Sequence, residues 1–232
     1  MIKNNKNIII FDSNTFPLNF LKEIKVKFIK FNFIIIKTND EKKLIREVSK
    51  AHVLINCPRK YFTKKLFKNF DKMEWVHTSA AGVDEYMIPS FMKSSIKFTN
   101  GKILQGPEVA DHALGLLLAL TRNLKFDITN KNLTKAKRPL ELFKKKALIF
   151  GLGGIGTCIL DRLDGFGVIS DVIAEELPSM TSSINNFYET DSIYKICHNY
   201  DIIISAAPLT RKTINIFNKK FFSKIKKNSI FI

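Results

Sequence analysis

Cysteine is scarce. Cys57, Cys158 and Cys197 are the only three in 232 residues. They are widely spaced, match no metal-ligand pattern and leave one thiol over in any disulfide scheme, so a disulfide-stapled scaffold and a zinc module are excluded and a reduced compartment is expected. Long apolar runs are missing as well. The longest, Ala113 to Leu120, is far too short to cross a bilayer. Ile8 to Phe11 is too short for the core of a signal peptide, and the expectation is a soluble, cytoplasmic protein with no membrane partner. Acidic residues are few. Asp and Glu total 21 against 38 Lys and Arg, giving a net charge of +17. Such an excess invites a nucleic-acid-binding reading. It is nearly all Lys, however, and scattered along the chain rather than gathered in a stripe. It also accompanies abundant Asn, Ile and Phe, as in an AT-rich coding sequence. Nucleic acid is therefore not expected as a partner. No G-x-S-x-G, no P-loop Lys and no Cys/His spacing is present, which leaves hydrolase, nucleotide triphosphatase and metal readings without support.

What is present is a strand–turn–helix signature. The apolar run Ala147–Phe150 leads into Gly151, Gly153 and Gly156 in G-x-G-x-x-G spacing, and a helix-like segment runs from Ile155 to Leu163. In a dinucleotide site the first glycine makes the tight turn, the second lets pyrophosphate approach the backbone, and the third lets the helix pack against the sheet. The helix N-terminus then favours the phosphates. A further apolar run, Val168 to Ala174, ends at Glu175 and Glu176, about 20 residues beyond the third glycine, where such folds put the carboxylate that takes a ribose 2′-OH. The alternative is a surface acidic pair. No Arg lies in 169–180 to receive a 2′-phosphate, which favours NAD over NADP.

Strand and helix patterns alternate along the rest of the chain. Strands are expected at 6–12, 31–36, 51–56, 73–77, 96–100, 201–206 and 229–232, and helices at 20–29, 40–50, 61–70, 107–122, 191–199 and 217–225. Residues 126–146 read as a loop. The class is α/β with parallel sheets. The small-residue run Thr78 to Asp84 follows a strand directly and could offer successive N–H groups to a carboxylate, or be a plain turn. The helix at 107–122 is apolar nearly all round, which suits a buried spine or a subunit contact. His77 precedes the small-residue loop and His112 sits on that helix, facing a cleft or the core. His52 and His198 read as structural, as a lone His usually is. Arg59, beside Pro58, is a candidate second anion contact.

Taken together, SAAGVD at 79–84, TNGKILQGPEVADHALGLLLALTR at 99–122, ELFKKKALIFGLGGIG at 141–156, AAPLTRKT at 206–213 and NSIFI at 228–232 resemble the D-isomer-specific 2-hydroxyacid dehydrogenases. The resemblance implies two Rossmann/flavodoxin-like domains with a cofactor cleft between them: a substrate-binding domain at 1–100 and an NAD-binding domain at 101–232, incomplete at its C-terminus. It implies that the backbone of Ala81, Gly82 and Val83 holds the substrate carboxylate. It also implies that Gly151, Gly153 and Gly154 belong to the cofactor site, with Ile155 and Gly156 on the pyrophosphate, Glu175 on the adenine ribose, and Ala207, Pro208 and Thr213 on the cofactor's other flank. The 107–122 helix is implied in a homodimer. The implied activity is NAD-dependent interconversion of a small 2-oxo acid and a D-2-hydroxy acid, of the glyoxylate/hydroxypyruvate reductase or phosphoglycerate dehydrogenase kind. The family's catalytic Arg, Glu and His are expected beyond Ile232, so none is assignable. A catalytically incomplete NAD-binding module or sensor stays open as the alternative. Lys144 stands where the family has a glycine.

Overall fold

The structure, a computed structural model, describes residues 6–12, 19–37, 39–129, 138–176 and 183–232. The chain divides into two compact units, Met1–Gly101 and Lys102–Ile232. The first holds β1 (Lys6–Asp12), α1 (Phe20–Lys27), β2 (Phe31–Lys37), α2 (Glu41–Val48), β3 (Val53–Ile55), α3 (Lys64–Phe67), β4 (Trp75–Thr78), α4 (Pro89–Met92) and β5 (Lys97–Asn100). Its five strands are all parallel, in the order β2-β1-β3-β4-β5. Alternation along β1 sends Ile9 and Phe11 to the face packed by Leu44, Val48 and Leu66, and Ile8 and Ile10 to the face that holds Val53 and Ile24. The strand order reverses between β1 and β3, and in open α/β sheets ligand sites form at the C-terminal edge near such a point.

The second unit holds α5 (Gly106–Thr121), α6 (Leu124–Thr129), β6 (Lys146–Phe150), α7 (Gly154–Gly165), β7 (Ile169–Ile173), β8 (Phe187–Tyr188), α8 (Ile193–Ile196), β9 (Ile202–Ser205), α9 (Lys219–Phe222) and β10 (Ile230–Phe231). Its sheet runs β10-β9-β6-β7-β8, again all parallel, with the reversal between β6 and β9. Both faces are buried, which is why β6 and β9 read as unbroken apolar runs rather than alternating ones. Ala147, Ile149, Val172 and Ile204 pack under α5 and α7 with Leu117 and Leu160. Leu148, Phe150 and Ile203 pack on the other side with Ile193 and Phe221. Asp171 is a buried carboxylate in β7 held by neutral donors: Tyr200 Oη at 2.6 Å, Asn185 Nδ2 at 2.8 Å and Asn186 Nδ2 at 3.1 Å. Burial and that carboxylate together push the Tyr200 phenol well above its ordinary range.

Several helices are shorter than their apolar spacing suggests. The 61–70 stretch forms only α3, preceded by a 3₁₀ turn at Arg59–Tyr61 and started by Thr63 Oγ1 accepting from Leu66 N–H at 3.3 Å. The 191–199 stretch is α8 flanked by two 3₁₀ turns. Residues 217–225 give only α9, capped by Asn218 Oδ1. The expected loop at 126–146 begins inside a helix, α6, and its residues 130–137 lie outside the described residues, as do 177–180 of the stretch searched for a 2′-phosphate Arg.

Lys144 has φ 59°, a left-handed conformation in which its N–H donates to the Gly167 carbonyl at 2.8 Å. A Cβ is strained there and glycine is not. Lys144→Gly should therefore stabilise the protein by about 0.5–1 kcal/mol, after allowing for glycine's greater freedom in the unfolded chain. Urea unfolding measures it, and a loss of stability would mean that this turn is not left-handed.

Candidate functional site

The glycine turn is built by the neighbouring strands. Gly151 leaves β6 with φ +101°, and a Cβ there would stand 2.5 Å from the backbone N and Cα of Ala207. The chain after β9 lies that close because Ala206 N–H donates to the Phe150 carbonyl at 2.8 Å. At Gly156 a Cβ would stand 2.0 Å from the Gly151 carbonyl oxygen, so α7 rests directly on the turn. Gly153 is different: nothing lies within 4 Å of where its Cβ would be. The first bond of α7 runs from Thr157 N–H to the Gly153 carbonyl at 2.9 Å. The N–H groups of Gly154, Ile155 and Gly156 precede that bond at the positive end of the helix dipole.

In front of this turn is a groove of about 600 Å³. Of the residues expected at a dinucleotide, Gly151, Gly153, Glu175, Ala207, Pro208 and Thr213 line it. Gly154, Ile155 and Gly156 form the start of α7 instead of the wall. Glu176, the second member of the acidic pair, lines the groove too, as do Lys102, Thr190 and Thr210, which the sequence alone does not single out as site residues. Thr213 Oγ1 donates to the Pro208 carbonyl at 2.6 Å and accepts from Thr210 N–H at 2.7 Å, which sets the turn that forms one wall. On the far rim the Glu175 carboxylate is exposed and pairs with Lys212 Nζ at 3.0 Å. That partner holds the Lys212 ammonium above its ordinary pKa. A space open at one glycine, a helix N-terminus beside it and a carboxylate beyond together suit a ligand with an anionic centre and a diol, and a dinucleotide fits.

In the first unit the first half of the 79–84 loop is pinned at two points. Ser79 N–H donates to Asn56 Oδ1 at 2.7 Å, and Asn100 Nδ2 donates to the Ala81 carbonyl at 2.8 Å. The N–H groups of Ala81, Gly82 and Val83 have no acceptor among the described residues. Arg59 lies over this loop, with Nη2 3.4 Å from the Gly82 carbonyl and Nη1 3.1 Å from Glu85. Three free donors beside a guanidinium make a place for a carboxylate. His77 lies in β4, two residues before Ser79, its Nδ1 2.8 Å from Thr99 Oγ1, and burial lowers its pKa. His112 is exposed on α5, not turned into the core. None of the four histidines lines the groove of the second unit.

Residues 114–232 match the NAD-binding domain of the D-isomer-specific 2-hydroxyacid dehydrogenases. The chain is 27% identical over 232 aligned positions to the glyoxylate reductase of Pyrococcus horikoshii, with 91% of this chain and 68% of that protein covered. It is 24% identical to the D-3-phosphoglycerate dehydrogenase of Methanocaldococcus jannaschii over 83% of this chain, and spans only 37% of that protein. Among solved structures, a glyoxylate reductase from Paecilomyes thermophila superposes with a TM-score of 0.81 at 14% identity, covering 98% of this chain and 73% of that one, a likeness of fold. The chain belongs to the D-isomer-specific 2-hydroxyacid dehydrogenase family, and its second unit carries that family's NAD-binding domain.

Proposed function

We propose that the protein is an NAD-dependent oxidoreductase that interconverts a small 2-oxo acid and its D-2-hydroxy acid. The observation that carries this reading is the glycine turn, closed at Gly151 and Gly156 yet open at Gly153, with Glu175 at the far rim of the same groove. NAD, when bound, supplies hydride exchange at its nicotinamide ring. The chain's own work is to hold and orient. The N–H groups at the start of α7 take the pyrophosphate, Glu175 accepts from the adenosine ribose, and Ala207, Pro208 and Thr213 line the opposite wall. In the first unit, the free N–H groups of Ala81, Gly82 and Val83 take the substrate carboxylate, with Arg59 as a second contact for negative charge. The proton-transfer group is assigned to none of the histidines, because His77 is tied to Thr99 and the others lie on exposed or structural positions. Incubating the protein with NADH and glyoxylate, hydroxypyruvate or pyruvate tests the reading. Substrate-dependent loss of NADH absorbance supports it. Saturable NADH binding without turnover would favour a binding module, and no NADH binding would overturn the site itself.

The outward face of α5 carries Val109, Leu116 and Leu120, exposed by 39%, 44% and 58%, at spacings that put them on one stripe. Leu124, at the start of α6, is exposed as well. This stripe supports a homodimer through the 107–122 helix. Sedimentation should give twice the 26.6 kDa chain mass for the wild type and a monomer for Leu120→Asp that still unfolds cooperatively, since Leu120 is exposed in the single chain. A wild-type monomer would remove the dimer.

A further inference from the structure

The ion pair at the groove's rim joins two segments far apart in sequence. Glu175 follows β7, and Lys212 lies on the Thr210–Thr213 turn after β9, yet Nζ and Oε1 are 3.0 Å apart. A carboxylate at this position discriminates against a 2′-phosphorylated dinucleotide by repulsion and by leaving its own acceptors without ribose hydroxyls. Here that carboxylate already has a cation on it. Both side chains are exposed, Glu175 by 69% and Lys212 by 72%, so Glu175 can turn into solvent at little cost while the ammonium stays at the rim. The turn that carries Lys212 is held by Thr213 and Thr210, and Arg211 beside it is exposed and cationic. Against this, Glu176 lines the groove and the carboxylates of Glu189 and Asp191 act on Lys212, and all three oppose a further anion.

We propose that Lys212 is a specificity-determining residue of the groove: its ammonium offsets Glu175 and takes a 2′-phosphate, so the site binds NADP(H) as well as NAD(H), with only a modest preference for the unphosphorylated form. This rests on the reading of the groove as the dinucleotide site. It reaches beyond the local sequence after β7, where no Arg is found, because the cation comes from another strand's turn.

Fluorescence titration with NADH and with NADPH measures the two dissociation constants in the wild type, Lys212→Gln, Lys212→Glu and Glu175→Gln. The wild-type ratio of the NADPH constant to the NADH constant should be below about tenfold. Lys212→Gln should raise it by about fivefold and Lys212→Glu by more, almost wholly through weaker NADPH binding, while Glu175→Gln lowers it. The shifts should shrink as salt is added. Unaltered melting temperatures check that these exposed changes leave the fold alone. A ratio unmoved in both Lys212 variants overturns the assignment of Lys212 while leaving the groove reading intact. Wild-type protein that binds neither nucleotide, or a Gly153→Val protein that binds both as before, overturns the groove reading and this inference with it.

Discussion

Gly153→Val should abolish NADH binding and leave the fold untouched. The backbone at 153 is extended, with φ −85° and ψ −166°, where a β-branched residue is comfortable. A Cβ there meets no atom within 4 Å apart from its chain neighbours, so the folded state has room for a side chain to start, and loss of glycine's freedom in the unfolded chain works slightly in its favour. The branched side chain instead fills the space between the groove and the first N–H groups of α7. A pyrophosphate kept from those donors loses charge-assisted hydrogen bonds worth about 1.5–3 kcal/mol each, and two such losses weaken binding by about 100-fold or more. Titration with NADH and a thermal melt on the same preparation check both halves. Normal NADH affinity in the variant would mean that the dinucleotide lies elsewhere.

The parts of this protein that were readable in the sequence share a physical cause. The strands β1, β6 and β9 are buried on both faces, so each is an apolar run that needs no knowledge of its neighbours. The glycine turn and Glu175 belong to one strand–helix–strand unit, and their spacing is set by that unit's geometry alone. Helix lengths were less legible at 61–70, 191–199 and 217–225, because apolar spacing marks which side is buried and not how many turns close. Polar caps such as Thr63 and Asn218 start a turn that ends within four residues. The two-residue β8 is too short to leave a period. Lys102, Thr190 and the turn that carries Thr210 and Lys212 reach the groove from three separate segments, a convergence that exists only once the sheet is assembled. Of the two positions open to His112, the core fails, and the sequence could not exclude it because α5 is apolar nearly all round. Its buried side runs through Ala110, Ala113, Leu114, Leu117 and Thr121, and His112 falls on the other.

The same glycine motif should give the opposite result three residues on. In Gly156→Ala the new methyl would sit 2.0 Å from the Gly151 carbonyl oxygen and 3.0 Å from its carbon, both backbone atoms. The turn cannot retreat. Gly151 is fixed in a positive-φ conformation and lies against the Ala206–Ala207 backbone, which β6–β9 pairing holds in place. The strain falls on α7, which must lift from the sheet by about an ångström and loosen the packing of Ile159, Leu160 and Leu163 over β6. Overpacking of this kind costs about 1–3 kcal/mol, and a backbone obstacle argues for the upper end. The melting temperature should fall by about 5–10 °C. NADH affinity should fall with it, because the lifted helix carries the anion-binding N–H groups. Gly153→Ala, made in parallel, should not lower the melting temperature. Equal melting of the two variants would mean that α7 does not rest on the turn, and the division of labour within the motif would have to be redrawn.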